Sequence, residues 1–115
     1  MSAFNVVTIA GSDPSGGAGI QADLKTFSAL GVFGMSVITA VTAQSTRGVA
    51  DVHGIPAAFV TRQLDVLLED AAVHAVKVGM LGTAEVTEAV AGAIDRHGLA
   101  DVVVDPVMVA KSGDR

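Results

Sequence analysis

The chain has 115 residues, of which 50% are hydrophobic and 17% are charged, and its formal net charge is −5. This length allows one domain with a hydrophobic core, and this composition excludes an intrinsically disordered chain. The seven Lys and Arg residues are scattered, which argues against a nucleic-acid partner, and the absence of Cys excludes disulfides and thiolate metal sites.

The amino-terminal segment enters a strand-like run directly. The sequence MSAFNVVTIAGSD has no basic stretch before its apolar residues, so it does not resemble a signal peptide. No apolar run reaches the ~18 residues that a membrane-spanning helix needs. We therefore expect a soluble cytoplasmic protein without a membrane partner.

The first third of the chain predicts a strand, a helix and a second strand. Residues 5–10 (NVVTIA) are typical of a buried strand, and residues 11–19 form a glycine-rich loop. Residues 18–30 predict a helix, with Gly31 just after its end. Residues 34–43 predict a second buried strand. The helix has apolar residues at helical spacing, namely Ile20, Leu24, Phe27 and Leu30.

The middle of the chain predicts a weak strand and an amphipathic helix. Residues 44–48 are polar, and residues 49–55 are weakly strand-like. Pro56 opens a predicted helix that runs to about Ala72. The helix carries one apolar stripe, formed by Phe59, Val60, Leu64, Leu67, Leu68 and Ala71.

The last third predicts strand, helix and strand again. Residues 75–78 predict a short strand, and Thr83 is a suitable N-cap for a helix that ends near residues 97–98. Residues 101–105 (DVVVD) predict a further strand, which Pro106 ends. Apolar strands that alternate with amphipathic helices indicate a single α/β domain with a parallel sheet.

The sequence ends in a loop, residues 111–115. A sheet of this type usually continues, so we expect the amino-terminal portion of a longer protein. The alternative is a small natural α/β domain. An incomplete sheet would expose an edge strand and favour self-association.

Ligands of parallel α/β sheets bind at the carboxyl ends of the strands. Four loops follow the predicted strands, and they begin at Gly11, Gln44, Gly79 and Asp105. Three of the four carry polar side chains, and three contain Gly or Pro. This pattern predicts a small-molecule site at that edge.

The glycine-rich loop precedes a helix, a place where phosphate groups often bind. It is not a P-loop, because G-x-x-x-x-G-K-[ST] is absent. Residues 17–22 match G-x-G-x-x-A, but no acidic residue follows about 20 positions later to bind a ribose. A dinucleotide-binding domain is therefore the weaker hypothesis, and the glycines also fit a turn that packs the helix closely on the strand.

Three carboxylates are candidates for ligand contacts. Asp13 fits either a ligand-side carboxylate or turn chemistry before the helix. Asp23 fits either a solvated helix face or a hydrogen bond to a ligand hydroxyl or amine. Asp105 fits either a turn before Pro106 or a position near Mg²⁺ and transferring phosphates.

Gln44 offers both a donor and an acceptor, a pair that suits a heteroaromatic ring with an adjacent amino group. Its structural alternative is to cap loop backbone. Met80 could contact a planar ring, although Met is more often a core residue. Lys77 is assigned no role. His53, His74 and His97 lack metal-ligand spacing, and His97 fits a helix C-terminus.

Four blocks together resemble the hydroxymethylpyrimidine/phosphomethylpyrimidine kinases. They are AGSDPSGGAGIQADLKTFSALG (residues 10–31), VTAQST (residues 41–46), KVGMLG (residues 77–82) and VVVDPVMVAKSGD (residues 102–114). They occur in the family's order and spacing over essentially the whole chain. The resemblance implies a ribokinase-like fold, with a mostly parallel central sheet flanked by helices, of which residues 1–115 would be the substrate-binding part.

The resemblance also implies a reaction and its site. Family members use ATP and Mg²⁺ to phosphorylate 4-amino-5-hydroxymethyl-2-methylpyrimidine and then its monophosphate in thiamine biosynthesis. Carried over, Gln44 would bind the amino group and ring nitrogen, and Asp23 would lie near the hydroxymethyl group or a ring nitrogen. Gly11 and Met80 would pack on the ring. Val107 would contribute backbone contacts, Asp105 would face phosphate and metal, and residues 47–55 would form part of a lid.

This chain also departs from the family pattern in its length. Members of the family are longer, and their anion hole, catalytic residue and most of the nucleotide site lie in the carboxyl-terminal half. We therefore expect no useful kinase activity from these 115 residues alone, and a homo-oligomer in the full-length protein. A pyridoxal kinase-like enzyme and a non-catalytic pyrimidine-binding module remain alternatives.

Overall fold

The structure, a computed structural model, describes residues 4–105. The elements in chain order are β1 (Asn5–Ala10), α1 (Gly19–Ala29), β2 (Phe33–Ile38), β3 (Ala40–Ser45), β4 (Gly48–Gly54), α2 (Ala57–Asp70), β5 (Ala75–Val78), α3 (Ala84–Arg96) and β6 (Val102–Val104). Four strands form a parallel sheet in the order β2-β1-β5-β6, and two form an antiparallel hairpin, β3-β4.

Helices cover both faces of the parallel sheet. Successive side chains of β1 point to opposite faces, so each contacts the helices on one face only. Val7 and Ile9 are fully buried in a core completed by apolar residues of α2 and α3. Thr8 points to the opposite face, where its hydroxyl contacts α1. The main core residues from the two helices are Val60, Leu64, Val86, Val90 and Ala93. This two-layered cover explains why β1 is buried almost throughout, as predicted for a parallel strand.

One sequence prediction is wrong: residues 34–43 do not form one strand. The chain leaves the parallel sheet at Thr39, whose amide donates to the Ala10 carbonyl and whose own carbonyl accepts from Ile55. The segment after Thr39 pairs instead with β4, which is the weak strand predicted over residues 49–55. An apolar, β-branched run gives no sign of such a change of partner, because both strands satisfy the same pattern.

The other predicted elements are confirmed, with ends that differ from the prediction by about one or two residues. Gly31 has φ +79° after the last turn of α1, the left-handed conformation that glycine adopts without strain. The Thr83 hydroxyl caps α3 by accepting from the amide of Val86 at 3.1 Å. Phe59 is an exception to the predicted apolar stripe of α2, since its side chain is exposed. Within residues 4–105, no helix has the length and apolar character to cross a membrane.

Candidate functional site

The strand exits predicted to hold a ligand meet at one edge of the sheet. The Gly79 amide donates to the Ile9 carbonyl at 2.9 Å, so the exits of β5 and β1 are adjacent. The buried Thr39, at the exit of β2, donates from Oγ1 to the Met80 carbonyl at 3.3 Å. The Asp105 amide donates to the Val78 carbonyl at 2.8 Å. The exits of four neighbouring strands therefore lie together at one edge of the sheet.

Asp23 is a carboxylate held in place beside this edge. It lies on α1, and its Oδ2 accepts a hydrogen bond from the Thr8 hydroxyl at 2.6 Å and another from the Lys77 ammonium at 2.9 Å. Only 17% of its side chain is exposed. Within the described part of the chain, no group donates to Oδ1, which reaches solvent. The structure therefore holds one carboxylate oxygen and leaves the other available to a ligand.

Asp105 lies beside the same ammonium group. The Lys77 Nζ is 3.7 Å from Asp105 Oδ2, and the Asp105 side chain is half-exposed. Two carboxylates from distant parts of the chain thus share one cation. Sequence reasoning did not identify Lys77 or Thr8, because only the register between β1 and β5 makes these two polar residues neighbours.

Asp13 has a structural role in the glycine-rich loop. Its carboxylate accepts hydrogen bonds from the Ser15 hydroxyl and amide and from the amides of Gly17 and Ala18, at 2.6 to 3.1 Å. The hydroxyl of Ser15 contributes most to lowering the pKa of Asp13, and the backbone amides lower it further, while burial opposes the shift. Of the two alternatives from the sequence, turn chemistry is the one that the structure shows.

The same carboxylate argues against a phosphate at this loop. A phosphate at the start of α1 would need the amides of Gly17 and Ala18, which already bind the Asp13 carboxylate. Gly19 has φ +59°, and a Cβ there would clash with the Gly11 carbonyl oxygen. The G-x-G pattern is thus explained by close packing of helix on strand, the structural alternative to dinucleotide binding.

Gln44 lies elsewhere than the sequence predicted. It does not end a buried strand of the parallel sheet, because it belongs to β3 in the hairpin, beside a register shift between Ala43 and Gln44. The hairpin is nevertheless tied to the exit of β1. The Thr42 hydroxyl is 2.8 Å from the Ser12 carbonyl and 3.0 Å from Gln44 Oε1. Gln44 is therefore linked through Thr42 to the loop after β1, and it does not lie at the end of a strand of the parallel sheet.

The remaining predicted residues differ in position. Gly11 and Met80 lie at the ligand edge, and the Met80 side chain is 56% exposed, so it is not a core residue. Val107 lies outside the described residues. Residues 47–55, the predicted lid segment, contain the whole of the exposed strand β4. A largely apolar cavity of about 630 Å³ between the hairpin, α2 and α3 contains none of the predicted site residues.

The carboxylate and imidazole groups of the described residues offer few donors for a metal ion. Within residues 4–105, no three His, Cys, Asp or Glu side chains cluster as a metal site would require. His97 does not simply complement a helix end, since its Nε2 lies 2.7 Å from Asp65 Oδ1 and links α3 to α2. Mg²⁺ often takes only one or two carboxylates when substrate phosphates supply other oxygens. Asp105, half-exposed at the edge, fits that limited role.

Comparison with known proteins agrees with the fold. A family model described as phosphomethylpyrimidine kinase matches residues 13–115. The hydroxymethylpyrimidine/phosphomethylpyrimidine kinase of Escherichia coli is 56% identical over 114 residues, which cover 99% of this chain and 43% of that protein. The solved structure of phosphomethylpyrimidine kinase from Clostridium difficile is 49% identical, with a TM-score of 0.90 over 96% of this chain and 48% of that one.

A pyridoxal kinase of Bacillus subtilis, solved as an ADP complex, has a similar fold. It is 42% identical, with a TM-score of 0.86, over 96% of this chain and 42% of that one. These likenesses confirm the predicted fold, a ribokinase-like α/β sheet flanked by helices. The chain spans less than half the length of each of these relatives.

Proposed function

Since this chain belongs to the phosphomethylpyrimidine kinase family, we propose that the complete protein phosphorylates 4-amino-5-hydroxymethyl-2-methylpyrimidine and then its monophosphate. The γ-phosphoryl group of one ATP would pass to the hydroxymethyl oxygen, and that of a second ATP would pass to the phosphate so formed. Residues 1–115 would contribute the substrate-binding side of the site in a cytoplasmic enzyme of thiamine biosynthesis. A homo-oligomer is part of the same proposal.

The observation that carries this proposal is the anchored carboxylate of Asp23. Thr8 and Lys77 both bind its Oδ2 and leave Oδ1 open at the ligand edge. A fixed carboxylate oxygen is a strong acceptor for a hydroxyl or amino donor. The pyrimidine substrate carries both donors, a CH₂OH and an NH₂ group. Asp23 would therefore orient the substrate without reorganising when it binds.

Gln44 would recognise the pyrimidine ring through hydrogen bonds. Its amide offers an acceptor to the exocyclic amino group and a donor to the neighbouring ring nitrogen. The contact to Thr42 holds the amide on the side facing the exit of β1. Met80, exposed at the edge, would cover one face of the ring, and Gly11 would leave room for the other. Val107 would add backbone contacts.

ATP and Mg²⁺ complete the proposal. Mg²⁺ would neutralise charge on the transferring phosphates. Among the described residues, Asp105 would help to hold the metal, with oxygens of the phosphates as its other ligands. The glycine-rich loop would not bind the nucleotide, because Asp13 already uses its amides. We propose that turnover needs the family's carboxyl-terminal half and that these 115 residues alone would not support it.

A coupled assay on the complete gene product tests the proposal. With ATP and Mg²⁺, we expect kcat/KM for the hydroxymethylpyrimidine to exceed that for pyridoxal by at least about 10-fold, since a missing hydrogen-bond partner costs about 1–3 kcal/mol. The pyridoxal kinase likeness makes pyridoxal the matched competitor. Preference for pyridoxal would reassign the substrate, and absence of phosphorylation of both would contradict the proposed activity.

A further inference from the structure

Lys77 occupies an unusual place for a charged residue. It lies inside β5, between Val76 and Val78, which are both buried, and its register partner on β1 is Thr8. Only 22% of its side chain is exposed. Charged side chains are rarely so enclosed unless they are paired. A lysine that merely extended its ammonium group to solvent would not need the partners that this one has.

The ammonium group contacts carboxylates from two separate elements. Nζ is 2.9 Å from Oδ2 of Asp23, on α1, and 3.7 Å from Oδ2 of Asp105, after β6. Thr8, the other polar group facing it from β1, is neutral and donates to the same oxygen of Asp23. Among the described residues, the Lys77 ammonium group therefore faces two carboxylates, and each comes from a different element of the fold.

The backbone leaves space for this arrangement. A Cβ at Gly79 would lie 3.3 Å from the Lys77 Nζ and 2.9 Å from the Cβ of Ala10. Gly79 thus permits the ammonium group to lie against the exit of its own strand, between the two carboxylates. The arrangement depends on strand, helix and loop together.

We propose that Lys77 is a positioning residue that fixes the substrate-side carboxylate of Asp23 relative to the phosphate-side carboxylate of Asp105. This inference rests on the proposed function. By holding Oδ2, Lys77 keeps Oδ1 of Asp23 directed to the substrate. By attracting Asp105 as well, it screens the repulsion between two carboxylates that must serve one small substrate. Lys77 itself needs no contact with the reacting atoms.

The test measures both binding and turnover in the complete gene product. Lys77→Met should weaken binding of the hydroxymethylpyrimidine, measured by calorimetry without ATP or Mg²⁺, by about 10–100-fold, the range for losing an orienting charge-assisted hydrogen bond. The kcat should also fall. Lys77→Arg keeps the charge and should recover at least part of both losses. Lys25→Met is the matched control, because Lys25 is exposed and contacts only the Gly16 carbonyl among described residues.

A double-mutant cycle separates positioning from packing. If Lys77 acts through Asp23, Lys77→Met should weaken binding by less than about 3-fold in an Asp23→Asn background, because coupled residues are not additive. Full additivity, or Lys77→Met binding like wild type, would overturn the inference. If Lys77→Met does not fold, Lys77→Gln takes its place. Failure of both to fold while Asp23→Asn folds would assign Lys77 to the core and also overturn it.

Measurements on the wild-type enzyme distinguish failure of the positioning role of Lys77 from failure of the proposed function. Pyrimidine phosphorylation by wild type together with an unaffected Lys77→Met variant would reject the positioning role and leave the proposed function intact. A wild type that neither binds nor phosphorylates the pyrimidine would overturn both.

Discussion

The carboxylate of Asp13 and the amide of Ala18 close the glycine-rich loop, with Oδ2 2.8 Å from the nitrogen. The side chain thus supplies, from within the chain, the anion that the start of α1 attracts. We expect Asp13→Asn to lower the Tm by roughly 5–10 °C, since an amide nitrogen cannot accept from Gly17 and Ala18. Thermal unfolding followed by circular dichroism measures this.

The control for that variant is Asp95→Asn. Asp95 is exposed on α3, and its side chain makes no hydrogen bond to a described residue. Its Tm should stay within about 2 °C of wild type, as surface substitutions usually do. Equal effects of the two substitutions would show that the loop does not depend on Asp13.

Close packing between Gly19 and Gly11 leads to a second prediction. Gly19→Ala should destabilise the protein by more than the ~1–2 kcal/mol expected from a left-handed φ alone, because the new Cβ meets the Gly11 carbonyl. Gly98→Ala is the matched control, since Gly98 has φ +63° and open space around it. Denaturant unfolding of the two variants gives the difference, and equal losses would contradict the clash.

Asp65 links α2 to α3, and its lowered pKa predicts that the stability of the fold depends on pH. Hydrogen bonds from His97 and then Arg96 lower the pKa of Asp65 in the folded state. A lowered folded pKa contributes stability above the unfolded value, about 3.9, and loses it as pH falls through the folded value. Asp65→Asn should therefore lower the Tm at pH 7, and the difference from wild type should shrink below about pH 4. A constant difference down to pH 2 would contradict this.

Gln44 provides a prediction about substrate recognition. Gln44→Ala in the complete gene product should raise the KM for the hydroxymethylpyrimidine by about 10–100-fold, because the ring's amino group and nitrogen would lose their partners. Its Tm should change little, since Gln44 is on the half-buried face of a hairpin. Ser45→Ala, on the exposed face of the same strand, should leave KM within about 2-fold.

The sequence predicted most of the sheet because the evidence for parallel strands is local. Runs such as residues 5–10 and 75–78 are apolar and bounded by turn residues, and β1 and β5 match them. The break at Thr39 could not be predicted in this way, because it depends on a hydrogen bond to Ala10 that only the folded sheet creates.

The site, like the sheet, could be predicted only in part from the sequence. Asp23 and Asp105 could be proposed from strand ends and from the resemblance, but the cation between them could not. Lys77 is 54 positions from Asp23 in sequence, and only the register of β5 beside β1 brings them together. The position of Gln44 on the hairpin was missed for the same reason as the break at Thr39.

In the proposed function, Asp23 presents a fixed carboxylate oxygen to a pyrimidine substrate. The most direct test is calorimetric titration of the hydroxymethylpyrimidine into the complete gene product and its Asp23→Asn variant, with Asp95→Asn as the control. We expect wild type and control to bind the pyrimidine, and the affinity to be reduced by about 10-fold or more in Asp23→Asn. Equal affinity in all three folded proteins would contradict it.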